Sequence, residues 1–582
     1  MDLKRVKFFR NVLILVVGII SLRLFYIQII QHEEWVAKAE EQHTLENTIT
    51  AKRGEIYMMD GEEPVEVVMN ETVYAIVIDP MVVNREKLKE VIDGAGVEKT
   101  ADWEEVFKNP ELRYFVLAKG VQREKVEKIR KAAETLEGGL SGVYIKEGTS
   151  RVYPEGEMAA QVLGFVNADG EGQYGVEGAM NEELKGKDGL LKTVADVNQV
   201  ALSIGDKNVK IPAEDGKDLV LSIDRNIQRG VEKILKEKLE EFNKDQAAAI
   251  VMNPNTGEVL AMANVPTYDP AKYAEVEGAE AYVNETVEVP YEPASVLKSF
   301  TFATGIELGV MTPETTYYNK GYEEIDGWTI KNAALQESLL GVTTMQKALN
   351  WSLNTGSIQA LRLIGGNPER ITEEGRKTLY DYYYNKFRLG RETGIELYEA
   401  VGLIGDPVEG DGRDSLYANM TFGQNIQVTM LQVISGYNAL VNGGIYKEPT
   451  IIKGEIKDGE LVEKEKKEGE RVISEETSET IREMLYGTRA SYRLYNIDKE
   501  GYYIGGKTGT AQTIRDGKYT MDEWVATYVG FGGREGVLPE YTIMVRIWKE
   551  GETTGAEQYA LPVFTELSEF MIDYLKIKPS ES

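Results

Sequence analysis

The chain has no cysteine and only two histidines, His32 and His43, in 582 residues. Without thiols there are no disulfides, no thiolate metal sites and no cysteine nucleophile. With both histidines beside an N-terminal apolar segment, the imidazole that usually deprotonates a serine is missing too, as is a His-rich metal centre. Carboxylates, lysines and hydroxyls remain as the groups for a hydrolase or transferase. Basic charge is also in short supply: 66 Lys and Arg stand against 96 Asp and Glu, a formal net charge of −30. That balance argues against nucleic acid as a partner, because a phosphate-binding surface needs a basic stripe. The absence of cysteine fits an oxidising, extracytoplasmic location, and equally fits chance.

What the chain does contain begins with length and an apolar fraction of 42%, enough for proper cores and for roughly three or four domain-sized units. Residues 1–10 carry Lys4, Arg5, Lys7 and Arg10, and residues 11–30 are mostly Val, Ile and Leu, about 20 residues or ~30 Å of helix. This segment is expected to span a bilayer. No Lys or Arg follows until Lys38, so the positive-inside rule puts the N-terminal tail in the cytoplasm and the body outside. A cleaved signal peptide is the competing reading, but the run is long and no small-x-small site follows it. Arg23, inside the run, either snorkels or faces a polar partner helix.

Two changes of character divide the remainder. Residues 31–215 are mixed and charged, with a helical stretch at 123–137 and a hairpin-like one at 65–78, and they read as a pedestal domain. From 216 to 582 the alternation sharpens into a catalytic domain. Apolar strands at 247–252 and 258–263 flank Asn253-Pro254-Asn255-Thr256-Gly257, a turn composition that predicts a hairpin. Further strands fit 502–512, 524–531 and 541–548, and residues 557–575 repeat apolar positions at helical spacing. The fold class is α+β: an antiparallel sheet formed by the two ends of the domain, with helices inserted between them.

Three short motifs carry the chemistry. Ser295-Val296-Leu297-Lys298 follows Pro293 and enters an apolar run, so a buried helix is expected to begin near Ser295 with Lys298 one turn on, on the same face. The lysine amine then reaches the hydroxyl as its base, and the helix N-terminus offers a backbone N–H to a developing oxyanion. Lysine is a poor base until burial and a neighbouring cation lower its pKa, and Lys507 is the candidate cation. Ser352-Leu353-Asn354 closes the stretch 345–351, where Ser352 would relay a proton and Asn354 hold a substrate backbone. Lys507-Thr508-Gly509 follows a glycine-containing strand pattern, along which a ligand backbone fits while Lys507 and Thr508 grip a carboxylate. Taken singly, each motif has a plainer explanation: a surface helix pair, a capped turn, an exposed edge strand. Their joint, ordered occurrence is what matters.

With these motifs the chain resembles the class B penicillin-binding proteins, monofunctional peptidoglycan D,D-transpeptidases. Further segments carry the likeness: Arg53-Gly54-Glu55-Ile56, Arg151-Val152-Tyr153-Pro154-Glu155-Gly156, Gly172-x-x-Gly175-x-Glu177, Leu184-x-Gly186, Ser222-Ile223-Asp224 with Gln228, Tyr291-Glu292-Pro293, Phe422-Gly423-Gln424 and Lys507 to Gln512. The resemblance implies a single transmembrane helix, a mixed α/β pedestal of the dimerisation type, and a transpeptidase domain built on a five-stranded antiparallel sheet with an inserted helical subdomain. It implies that Ser295 attacks the D-alanyl-D-alanine end of a stem peptide with Lys298 taking its proton, although the acylation base is disputed for such sites. Catalysis would rest on Ser295, Lys298, Ser352, Asn354 and Lys507. Thr508, Gly509 and Thr510 would bind substrate, and the backbone N–H groups of Ser295 and Thr510 would form the oxyanion hole. No metal or cofactor is expected. Implied partners are stem peptides, β-lactam antibiotics, a glycan polymerase of the SEDS type and other cell-wall or division membrane proteins. Departures from the family pattern are Ala294 in place of a frequent glycine, Leu353 in the second motif, and Tyr57-Met58-Met59-Asp60-Gly61 after the first pedestal motif. Two rival functions are a β-lactamase of the same fold, which needs a carboxylate to activate water, and a sensor or division scaffold without turnover.

Overall fold

A computed structural model describes residues 3–35, 44–99, 103–108, 112–136, 139–194, 209–244, 246–333, 337–492, 498, 500–515, 518–550 and 555–580. Two compact units emerge, residues 1–54 with 185–217, and 55–184 with 218–582. The second unit thus draws on residues from both sides of position 215.

In the first unit, helix α1 (Leu3–Phe25) continues as a five-residue π-helical stretch, Tyr26–Ile30. Residues 3–30 form a helix long and apolar enough to cross a membrane. Strands Thr44–Ile49, Gly189–Val194 and Val209–Ile211 make a small antiparallel sheet in that order. Its flanking chain is tied by Ala51 N–H donating to Asp188 at 2.7 Å and Lys52 N–H donating to Asp215 at 2.9 Å.

The second unit contains a mixed sheet and a catalytic sheet. In the mixed sheet, strand Asp218–Asp224 runs parallel to Ile56–Asp60 on one side and antiparallel to Ile452–Lys457 on the other. One hydrogen-bonded ladder therefore joins segments that the sequence assigns to pedestal and catalytic domains. The hairpin expected within 65–78 is instead a single strand, Glu63–Ile78, paired with the strand before it through a turn at Gly61, φ +67°. The expected helix at 123–137 is Arg123–Thr135. Buried and half-buried charges staple this region: Arg151 donates to Glu177 at 2.8 Å and to Asn70 at 3.0 Å, and half-buried Glu155 accepts from Arg225 at 2.8 Å. Glu177 is fully buried, so removing its arginine would take away a charge-assisted partner where water cannot replace it.

The catalytic sheet is framed by α2 (Arg225–Phe242), β1 (Ala247–Met252) and β2 (Val259–Val265) at one end of the chain segment. Between them and the last strands come α3 (Lys298–Glu307), α4 (Met345–Asn350), α5 (Asn354–Ile364), α6 (Met430–Val441) and α7 (Glu475–Ser491). The segment closes with β3 (Tyr502–Arg515), β4 (Lys518–Arg534), β5 (Tyr541–Glu550) and α8 (Ala560–Tyr574). The five strands form one antiparallel sheet in the order β2-β1-β5-β4-β3, which is the expected assembly from the two ends of the domain. Alternation along β1 sends Ala247, Ala249 and Val251 toward α2 and α8, and Ala248, Ile250 and Met252 toward the inserted helices. Both faces are covered, so every residue of β1 is buried. Gln228 pins α2 to β2 by accepting from Met262 N–H at 2.8 Å and donating to Met262 O at 2.6 Å. The turn joining β1 to β2 is closed by Asn253, whose side chain accepts from Asn255 N–H at 2.9 Å.

Candidate active site

Ser295 sits in a 3-10 turn, Ala294–Leu297, that runs directly into α3. In a 3-10 turn the side chains of residues i and i+3 eclipse, so Ser295 and Lys298 stack on one face as the sequence predicts. The turn is clamped by the segment 422–428. Ala294 N–H donates to Gly423 O at 3.1 Å, Tyr291 and Val428 exchange backbone hydrogen bonds at 3.0 Å, and buried Glu292 accepts from Asn425 N–H at 2.8 Å. Ala294 adopts φ +53°, a left-handed conformation that disfavours any side chain. This explains physically why glycine would be at ease at that position.

Two glycines sandwich the turn. A Cβ added at Gly423, φ +78°, would lie 2.6 Å from Ala294 C and 2.7 Å from its N. On the opposite side, a Cβ at Gly509 of β3 would lie 2.6 Å from Pro293 O and 3.5 Å from Ser295 N. Gly509 therefore lets the strand of the third motif press against the backbone of the first.

Ser352 follows α4 at φ +53° and is the hub of the site. Lys298, with no solvent exposure, donates to Ser352 O at 2.6 Å, to Ser352 Oγ at 3.1 Å and to Asn354 Oδ1 at 2.8 Å. From β3, the equally buried Lys507 donates to the same Ser352 Oγ at 3.2 Å, to Thr508 O at 3.0 Å and to Thr508 Oγ1 at 3.3 Å. Asn354, the first residue of α5, is held in turn by donating to Lys331 O at 2.9 Å. Three stretches more than 50 residues apart in sequence thus converge within hydrogen-bond distance. Lys298 spends its described hydrogen bonds on the second motif, none on Ser295 Oγ, whereas the spacing alone predicts that its amine reaches the serine. The three acceptors at 352 and 354 draw the amine past its neighbour on the turn. Catalytic hydrogen bonds of this kind commonly tighten only around a substrate.

Electrostatics set the two lysines apart. Burial, with the like charge of Lys507 added to it, holds Lys298 well below the ordinary lysine range. Its three acceptors favour the charged form, but desolvation outweighs them. Burial also brings Lys507 down to about 8, opposed by the nearby carboxylate of Glu557. Burial thus disfavours the charged form of both amines, and Lys298 bears the added repulsion of Lys507.

Thr508 and Thr510 are differently placed. Thr508 is buried, with its hydroxyl 3.0 Å from Tyr492 Oη, while Thr510 is half-buried and accepts from Ala556 N–H at 3.0 Å. An occupied acceptor leaves the Thr510 hydroxyl proton available to a ligand anion. Ser295 N–H lies in the first turn of its helix, where backbone donors have no intrahelical acceptor. Two residues of the site carry no sequence signal. Tyr492 caps the end of α7, and Glu557 belongs to a short 3-10 turn, Ala556–Gln558, before α8.

Comparison with known proteins identifies the family. Residues 247–569 match the family model of the penicillin binding protein transpeptidase domain, and 48–221 match the penicillin-binding protein dimerisation domain. Among curated relatives, stage V sporulation protein D of Bacillus subtilis is 30% identical over 100% of this chain and 87% of its own length. Peptidoglycan D,D-transpeptidase FtsI of Escherichia coli is 26% identical over 96% of this chain and 89% of its own. Among solved structures, penicillin binding protein 3 of Mycobacterium tuberculosis, in complex with aztreonam, shares the fold with a TM-score of 0.66 at 24% identity, covering 92% of this chain and 98% of that one. Penicillin binding protein 2X of Streptococcus thermophilus does so with a TM-score of 0.71 at 23% identity, covering 92% and 83%. The chain belongs to the penicillin-binding protein family and carries its dimerisation and transpeptidase domains in that order.

Proposed function

We propose that this chain is a membrane-anchored serine D,D-transpeptidase that cross-links peptidoglycan. The observation that carries the reading is the shared hydroxyl of Ser352, held at 3.1 Å by Lys298 and 3.2 Å by Lys507, with Lys298 itself one turn on from Ser295 at the head of a buried helix. Ser295 Oγ attacks the carbonyl of the penultimate D-alanine of a stem peptide, and Lys298 accepts its proton. The oxyanion forms at the N–H groups of Ser295 and Thr510. Lys507, Thr508 and Thr510 hold the terminal carboxylate, and Asn354 holds the peptide backbone. The proton returns from Lys298 through Ser352 to the departing D-alanine nitrogen, leaving an acyl-enzyme on Ser295. A neighbouring stem's amine then takes the acyl group. β-Lactams acylate the same serine as mimics of the donor.

The tail Lys4, Arg5, Lys7 and Arg10 supports a cytoplasmic N-terminus with the catalytic domain outside. A polytopic glycan polymerase of the SEDS type is the partner proposed for the anchor, with Arg23 as a contact. Arg23 lies 5.8 Å from the ring of Tyr26, which gives it a partial neighbour within its own helix.

Labelling with a fluorescent penicillin tests the central claim. Wild type should take a stable label that Ser295→Ala lacks. Rapid release of the label would instead identify a β-lactamase, and an unlabelled wild type would leave only a scaffold.

A further inference from the structure

Beside Ser352 lies a cavity of about 190 Å³ lined by Asn350, Trp351, Ser352, Ser491, Tyr492 and Glu557. None of these except Ser352 belongs to a motif. Its composition is that of a cation site: one carboxylate and two aromatic residues that can offer ring faces or edges. Trp351 is 42% exposed, so the cavity opens to solvent on that side. Among the described residues no hydrogen bond or ion pair occupies the Glu557 carboxylate. Its nearest electrostatic neighbours are Lys507 and Tyr492, on which its charge acts. The carboxylate is positioned by its backbone: Ala556 N–H donates to Thr510 Oγ1 at 3.0 Å, tying this turn to the third motif.

We infer that this cavity is the acceptor subsite, in which Glu557, with Trp351 and Tyr492 as walls, receives the primary ammonium of the incoming stem peptide. The inference rests on the transpeptidase reading and adds to it which part of the cleft takes the second substrate. A carboxylate at this place repels the anionic C-terminus of a donor, which belongs at Lys507 and Thr510, and attracts a cation. The two substrates are thereby sorted by charge. The bound ammonium gives one proton to water and becomes a nucleophile. Its nitrogen then bonds to the acyl carbon as the ester C–O bond to Ser295 Oγ breaks, and the surplus proton on nitrogen passes to Oγ, restoring the serine. Ser352 lines both the cavity and the lysine network, so the amine enters beside the hydroxyl that conducts protons.

The test uses the full chain in detergent and reads the fate of an acyl-enzyme formed from an N-acyl-D-alanyl thioester. Partition between hydrolysis and transfer is measured against two nucleophiles, D-alaninamide as a cation and hydroxylamine as a neutral species. Because partition is read on acyl-enzyme already formed, differences in acylation cancel. In Glu557→Gln the D-alaninamide concentration that diverts half of the acyl-enzyme should rise about tenfold, the loss expected for one charge-assisted contact. The hydroxylamine value should move less than twofold, and Glu557→Asp should recover part of the loss. An unchanged D-alaninamide value, or equal losses for both nucleophiles, overturns the inference while leaving the transpeptidase reading intact. A wild type that forms no acyl-enzyme overturns the reading itself, and the inference with it.

Discussion

Gly423→Ala would test whether Ser295 is held in place by backbone packing from the segment 422–428. Two costs follow from the structure. Gly423 has φ +78°, where an L side chain costs about 1–2 kcal/mol. Its new methyl would also sit 2.6 Å from Ala294 C and 2.7 Å from Ala294 N, an overpacking cost of about 1–3 kcal/mol. These neighbours are backbone atoms, so no side chain can rotate away. The turn itself must yield, and its next residue is Ser295. On the other side the turn packs so closely on Gly509 that a Cβ added there would lie 2.6 Å from Pro293 O, which leaves little room to retreat. Misplacing a nucleophile by about 1 Å costs on the order of 100-fold in rate. The expected result is a fall of about that size in the second-order rate constant of acylation by a fluorescent penicillin, in protein that still unfolds cooperatively at a lowered midpoint. Adding Ala294→Gly should recover part of the rate, because residue 294 then moves more freely. Acylation within about threefold of wild type in folded Gly423→Ala protein would refute the clamping argument.

Other expectations follow from the same structure. Acylation should rise with pH as Lys298 loses its proton and fall as Lys507 loses its charge near pH 8. In Lys507→Met the like charge that depresses Lys298 is gone, so the acid limb should move to higher pH and the alkaline limb disappear; an acid limb that stays or moves lower refutes the coupling. Ala294→Gly alone relieves a left-handed alanine, and after the entropy of the unfolded chain is set against it the variant should be about 0.5–1 kcal/mol more stable in thermal unfolding. Destabilisation would show that the φ +53° turn is not strained. Arg489, 1% exposed, donates to Asp498 at 2.6 and 2.7 Å, so Asp498→Asn should cost about 3 kcal/mol by stranding a buried guanidinium beside Tyr528 and Thr565. An unchanged unfolding midpoint would contradict that.

Local order carried most of what was legible in the chain. The eliminated chemistries, the apolar helix at the N-terminus and the hairpin 247–265 with its Asn253 turn all depend on neighbours in sequence, where composition and period speak directly. The eclipsed pair Ser295 and Lys298 is likewise a property of four residues. The partner of the amine was not local. Lys298 turns toward Ser352 and Asn354 because the fold sets three acceptors around its amine there, and nothing in the spacing i, i+3 reports what lies across a cleft. The same holds for the strand Asp218–Asp224, which composition places in the catalytic domain and which hydrogen-bonds in register with Ile56–Asp60. Tyr492 and Glu557 were invisible for a related reason: neither repeats, caps a motif or breaks a period, and each matters only through what the folded chain puts beside Lys507. Sequence by itself determined the chemistry available, lysine and hydroxyl in place of imidazole and thiol, because composition excludes what is absent. Only tertiary structure decided how strongly each lysine is pushed toward its neutral form, since that depends on burial and on a distance between residues 298 and 507 that no local rule sets.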